Sequence, residues 1–193
     1  MSDETLTTAE PFRCIMIDPP WFETGGGKIK RGADRHYPIM RYPEIIALMQ
    51  RVLGLVFDPT KPRPPVVAES AHLWLWATDN HLLDALHVVE ALGFRYVRTM
   101  IWCKLSSAGK LQTGLGQYMR GAHEPCLFAV RGPTCKPATA NRQPSVVLAP
   151  RRLHSQKPDE AYRAIEMTSP GPRLELFARY SRPGWVAWGD EAP

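Results

Sequence analysis

The stretch that decides the fold is Phe12-Arg13-Cys14-Ile15-Met16-Ile17-Asp18-Pro19-Pro20-Trp21. Its first six residues form an apolar run with the length and β-branching of a buried strand. The run ends in a carboxylate, a rigid turn and a large aromatic ring. In open α/β sheets, ligands bind just outside the carboxyl ends of the strands. The two prolines fix φ and remove two backbone donors, so the turn's carbonyls are expected to serve as acceptors. Asp18 adds a charged acceptor, and Trp21 offers a flat face for stacking. Two acceptors beside a stacking face suit a planar group bearing an NH2, such as the exocyclic amine of adenine. The bland alternative is an ordinary turn with a surface tryptophan, and the four residues alone do not decide between them.

The chain has 193 residues, 44% of them hydrophobic, which is enough for one domain with its own core. The expectation is a single domain over residues 1–193, with a polar, frayed segment at 1–10. Net charge is +5 and the sequence pI is about 9.2. That suits a polyanionic partner, and plain solubility accounts for it equally well. The 19 prolines cluster in loops, and long rigid loops on a small sheet fit an enzyme better than a structural protein. Cys14, Cys103, Cys126 and Cys135 contain no Cys-x-x-Cys pair. The first three lie in apolar runs and read as reduced core thiols. No signal peptide opens the chain and no apolar run nears the ~20 residues of a membrane span. The protein is expected to be soluble and cytoplasmic.

Beyond the opening strand, Phe22 to Arg35 carries Gly25-Gly26-Gly27 with Lys28, Lys30, Arg31 and Arg35. The Gly-Lys pair lacks the Ser/Thr of a phosphate-binding P-loop. The segment reads as a lid or substrate-contacting loop, or as a solvated loop without function. Pro43 opens a helix whose stripe is Ile45, Ile46, Leu48, Met49, Val52 and Leu53. Residues 71–77 read as a second strand, and Thr78-Asp79-Asn80 as the cap of a helix bearing Leu82, Leu83, Leu86, Val89 and Leu92. Residues 94–103 and 124–130 read as strands on either side of a polar loop, 104–122. A basic loop at 131–144, a short strand at 145–148, a helix at 159–167 and strands at 173–178 and 185–188 complete the chain. Strands alternating with helices predict a mixed, mostly parallel sheet with helices on both faces.

Taken in order, these motifs make the chain resemble the adenine-N6 methyltransferases related to the catalytic subunit of the eukaryotic messenger-RNA methyltransferase, and more closely their bacterial and phage members. The resemblance spans roughly Ile15 to Glu191. It rests on Asp18-Pro19-Pro20-Trp21, His36-Tyr37-Pro38, Leu73-Trp74-Leu75-Trp76, Ile101-Trp102-Cys103-Lys104 and Arg120-Gly121-Ala122-His123-Glu124. It continues through Ser155-Gln156-Lys157-Pro158-Asp159-Glu160, Glu175-Leu176-Phe177-Ala178-Arg179 and Trp185-Val186-Ala187-Trp188-Gly189.

The resemblance implies a Rossmann-like fold using S-adenosylmethionine, with a permuted order that places the catalytic motif early and the cofactor strand late. It implies that Asp18 and the Pro19 carbonyl accept the two hydrogen bonds of the adenine amine, beside Pro20, while Trp21 stacks on the base and Tyr37 closes the pocket. It places Asp18 at the cofactor as well as at the amine, and assigns Lys157 to the methionine carboxylate and Glu175 and Arg179 to the adenosine. Asp190 and Glu191 stand where the family often has Asn-Gln facing the ribose, a departure that weakens their transfer. His123-Glu124 either supports the target pocket or forms a buried pair that stabilises the fold.

Lys28, Lys30, Arg31, Lys104, Lys110, Arg120, Arg131, Lys136 and Arg142 are expected in loops flanking the site, several of them on phosphates. The first reading of the substrate is adenine in DNA. The alternatives are adenine in RNA, a catalytically silent nucleic-acid-binding partner subunit, or a small-molecule or protein amine. With so little chain outside the catalytic core, specificity is expected to come from the loops or from a second subunit, which makes a homodimer one candidate arrangement.

Overall fold

In the computed structural model, which describes residues 6, 8–23, 39–56, 60, 65–114, 116, 118–133, 135–152 and 156–189, the opening run is a central strand. Strand β1 (Phe12–Ile17) pairs in parallel with β2 (Val67–Trp76) on one side and β6 (Arg173–Leu176) on the other. β4 (His123–Arg131) is antiparallel to both β2 and β3 (Arg95–Leu105). β5 (Val146–Pro150) is parallel to β3, and β7 (Trp185–Trp188) to β6. The order is β5-β3-β4-β2-β1-β6-β7. Within this sheet β4 alone runs against the other six strands, so the sheet is mixed and mostly parallel, as the alternation predicts.

Both faces of β1 are buried, which is why its sequence reads as a continuous apolar run rather than an alternation. Ile15 and Ile17 point to one side, into a core shared with α1 (Tyr42–Val52) and α2 (Leu82–Ala91). Cys14 and Met16 point to the other, into a core shared with Trp74, Trp76 and α3 (Asp159–Thr168). Helices therefore cover both faces, within an α/β, Rossmann-like arrangement. After β1 the chain moves to β2 on one side, and late in the sequence it returns to β6 on the other. The carboxyl ends of β1 and β6 thus flank the point where the strand order reverses, where doubly wound folds bind ligands.

Local readings hold where one face decides. Helix α1 buries Ile45, Leu48, Met49 and Val52, and the Glu44 carboxylate accepts the Arg41 backbone N–H at 2.7 Å. Helix α2 departs from its predicted stripe. It buries Ala85, Val88 and Val89, while Leu83 is 74% exposed. A 3-10 turn at Asp79–His81 precedes the helix. Thr78 makes no cap bond of its own, and its hydroxyl donates to Glu23 instead. Gly93, at φ +77°, stops the helix where other residues are strained. The four cysteines are free, with Cys14 and Cys126 buried and Cys103 and Cys135 partly exposed. Among the described residues no helix is long and apolar enough to cross a membrane.

Helix α3 matters most for the site, because Lys157 stands just before it. Its Ile165 is fully buried against the Cys14/Met16 face. Ile165→Ala should cost about 2–5 kcal/mol through lost burial and a cavity. Urea unfolding followed by circular dichroism checks this.

Candidate active site

The site is built from the tips of β1 and β6, the start of α3 and the ends of β3 and β4. Asp18 follows β1 directly, and its backbone N–H reaches the Leu176 carbonyl at 3.5 Å, so the two strand tips stay together past the last ladder pair. Its carboxylate Oδ2 accepts a hydrogen bond from Lys157 Nζ at 2.7 Å, an ion pair joining residues 139 apart in sequence. Lys157 Nζ also lies 3.3 Å from Glu124 Oε2. Glu124 Oε1 in turn lies 2.7 Å from Lys104 Nζ. The two ammonium groups rest over indole rings, Lys157 over Trp76 at 5.2 Å and Lys104 over Trp102 at 5.5 Å.

This chain of alternating charge sets its own protonation. Burial by itself would push the Glu124 carboxyl up, but Lys157 and Lys104 outweigh it and hold the group down at about 2. Burial would likewise lower Lys157, yet Asp18 and Glu124 outweigh it and hold the ammonium above its ordinary range. Both groups are charged through the physiological range. Neither serves as a proton shuttle at neutral pH; they act as fixed charges.

Several expected roles need correction. Trp21 is not a free stacking platform: it is 5% exposed. Its ring stacks on His81 at 5.3 Å and its Nε1–H donates to the Trp76 carbonyl at 3.0 Å. The prolines' carbonyls are not all vacant acceptors either. Pro19 takes the Trp21 N–H at 2.9 Å, and Pro20 takes the Met40 N–H at 2.7 Å. Pro19 keeps its second lone pair for another donor. Lys104 belongs to β3 rather than to the polar loop, and its pairing with Glu124 places it in this charged row.

Glu175 lies near the end of β6, in register with Met16, and is buried. Tyr162 of α3 donates its hydroxyl to Glu175 Oε1 at 2.8 Å. Burial first, and the nearby Asp18 charge after it, raise the Glu175 carboxyl to about 7 against the lowering effect of the tyrosine bond. The Arg182 guanidinium stacks on the Tyr162 ring at 3.8 Å and pairs with Asp159, which also holds Arg152 at 2.6 Å. Phe177, next after β6, takes φ 60°, a strained conformation for a bulky residue of the kind that collects at ligand sites. That turn ends the strand at Leu176 instead of Ala178. Arg179 follows it, half-buried and engaged by a neighbour. Gly189 lets the chain after β7 pass close to this turn, since a Cβ there would stand 2.6 Å from the Ala178 carbonyl oxygen.

The basic residues divide. Lys110 and Arg120 are exposed in the 106–122 loop near the site, and Arg120 Nε braces that loop on the Gly114 carbonyl at 2.9 Å. Arg131 pairs in register with Ala71, at the opposite end of the sheet. Lys136 and Arg142 border a separate cavity of about 580 Å³ with Trp74, Phe128 and Thr168. Thr168 ends α3, a helix about 15 Å long whose other end carries Lys157. These three cations do not flank Asp18. Tyr37, Lys28, Lys30, Arg31, Asp190 and Glu191 lie outside the described residues.

Sequence reasoning left Glu124 open and did not assign His81 or Arg182. A Glu four positions after Arg120 and beside a histidine carries no local signal for a partner at Lys157. Only the strand order brings them together.

The raised Glu175 carboxyl has a stability consequence. The folded state keeps its proton between about pH 4.5 and 7 while the unfolded chain loses it, so folding stability drops as pH rises through that window. Glu175→Gln should abolish that drop and be the more stable protein at pH 7.5, as a pH series of denaturant melts would reveal.

Comparison with known proteins fits this geometry. The MT-A70 family model matches residues 12–191. An N(6)-adenosine-methyltransferase MT-A70-like protein of Drosophila melanogaster is 28% identical over 96% of this chain and 28% of its own length. The N(6)-adenosine-methyltransferase catalytic subunit METTL3 of Homo sapiens is 29% identical over 93% of the chain and 28% of its own length. An N6-methyladenosine RNA methyltransferase of the fungus Cryphonectria parasitica is 28% identical over 98% of the chain and 54% of its own length. The chain thus spans between about a quarter and about half of these relatives.

Proposed function

The chain belongs to the MT-A70 family, and from that premise we propose that it methylates the N6 amine of adenine in RNA. The family uses S-adenosylmethionine. The observation that carries the reading is the Asp18–Lys157 contact of 2.7 Å at the carboxyl tip of the central strand. It places an acceptor for an amine and a donor for a carboxylate side by side. The residues fit the cofactor: Lys157, with its side chain 10% exposed, is a nearly buried cation suited to an amino-acid carboxylate, and Glu175 is a buried acceptor on the neighbouring strand. When bound, the cofactor supplies a methyl group already activated on a sulfonium. The protein's share is therefore position and electrostatics.

Asp18 and the Pro19 carbonyl accept from the amine, aim its lone pair and stabilise the positive charge that grows on nitrogen. The base must come from a single strand or be flipped out of a duplex. Because Trp21 is packed against His81, it supports the acceptor turn from within, and base stacking falls to another group or requires His81 to move.

RNA is preferred to the DNA read first from the sequence because the relatives are named for adenosine, and the fungal one for RNA. Nothing among those names carries DNA. The intact Asp18-Pro19-Pro20-Trp21 motif argues against a silent partner subunit.

Tritiated-methyl transfer to matched RNA and DNA oligonucleotides, with mass spectrometry of the nucleosides, tests the proposal. N6-methyladenosine from RNA is expected. Label confined to DNA would return the substrate to deoxyadenosine, and no label in adenine from either would reject the reading. Asp18→Ala should lower kcat by about a hundredfold or more. Separately, Lys110→Ala with Arg120→Ala should weaken RNA binding evenly across sequences and reduce the slope of log K against log salt by up to about 2. An unchanged slope in fluorescence anisotropy titrations would put the phosphate contacts elsewhere.

A further inference from the structure

Asp18 and Lys157 face a conflict that neither resolves alone. As the proposed reaction needs them, Asp18 accepts from an amine and Lys157 holds a carboxylate. Here the two neutralise each other at 2.7 Å, which weakens Asp18 as an acceptor. If Asp18 simply turned away, a nearly buried ammonium would lose its partner, and that is costly.

Glu124 supplies the missing element. It sits on β4, an antiparallel strand separated from β1 by β2, and its Oε2 already lies 3.3 Å from the same ammonium. Lys104, 2.7 Å from the other oxygen, keeps Glu124 paired in its turn. The two lysines lie over Trp76 and Trp102, whose rings meet edge to face at 6.5 Å. Both ammonium groups thus rest on one aromatic floor beside the two carboxylates.

We infer that Glu124, braced by Lys104, is a positioning residue: it keeps the Lys157 ammonium in place when Asp18 turns to the target amine, so that amine and carboxylate are gripped at the same time. The inference rests on the adenine-N6 reading for the identity of amine and carboxylate. That one ammonium lies within reach of two carboxylates stands on the geometry alone.

Two measurements test it. The first is a stability cycle in urea with Asp18→Asn, Glu124→Gln and the double variant. Each single variant leaves Lys157 one carboxylate and should be mild. The double variant should lower the folding constant by about tenfold beyond the product of the singles. A purely additive result overturns the inference.

The second is a split between affinity and turnover. Glu124→Gln should bind S-adenosylhomocysteine by calorimetry as tightly as the parent protein or more so, since a negative charge near the ligand carboxylate is gone. Its kcat should fall by about tenfold or more, with Glu124→Asp recovering part of it and Lys104→Met giving a smaller loss. A merely structural glutamate would instead lower affinity, turnover and melting temperature together, and that pattern, or an unchanged kcat, overturns the proposal. Should the parent protein methylate no adenine while the stability cycle remains coupled, the proposed function falls and the two-anchor role of Glu124 stands.

Discussion

The ion pair between Asp18 and Lys157 is the constraint on which the site depends. It ties the tip of the central strand to the approach of α3 across 139 residues of sequence. The pair is nearly removed from water, so its energy depends on what surrounds it rather than on Coulomb attraction alone. Here the surroundings are organised: a second carboxylate, a second ammonium and two indole faces. Charge alternates along the row, so no member is buried without a partner. The row is built entirely from the chain's own side chains, so the fold itself supplies an organised electrostatic environment, which is the arrangement that makes fixed charges useful in group transfer.

The topology explains why these residues meet. The chain leaves β1 on one side and comes back to β6 on the other, opening a crevice at the shared carboxyl ends. β4, running against its neighbours, begins at that same edge, so Glu124 near its start is delivered to the site. On the β6 side, Glu175, Tyr162 and Arg182 form a second polar set with Asp159 at the first turn of α3. One helix thus contributes to both sides of the crevice: its approach carries Lys157, and its first turns carry Asp159 and Tyr162. Phe177 and Gly189 shape the backbone between them, one by a left-handed turn and the other by admitting a close approach that a side chain would block.

Three expectations failed for related reasons. Trp21 reads as an exposed platform because a tryptophan after two prolines has no local reason to be buried. In the fold the prolines turn the chain back, so the ring lands against His81 and the Trp76 carbonyl. Lys104 reads as a loop lysine because β3 runs past the apolar part of its sequence. The strand continues to Leu105 because β5 pairs with it to the end, and strand pairing is a property of two segments rather than one. The loop at 131–144 looked like a neighbour of the site because it is basic. Its position follows from the direction of β4, which carries Arg131 to the far edge.

What the sequence by itself determined is what neighbouring residues can encode. The buried strand at Phe12–Ile17, the proline-led stripe of α1, the helix read at 159–167 and the acceptor-bearing turn at Asp18 were legible because periodicity, proline and capping chemistry act over a few positions. So was the class of sheet, which follows from alternation. What only the tertiary structure decided was pairing: Lys157 shared between Asp18 and Glu124, Lys104 behind it, Tyr162 on Glu175, and His81 on Trp21. Such contacts join distant segments through the strand order. A charged side chain carries no mark of its partner until the sheet has set which edge it occupies and the loss of water has made an unpaired charge too costly to keep.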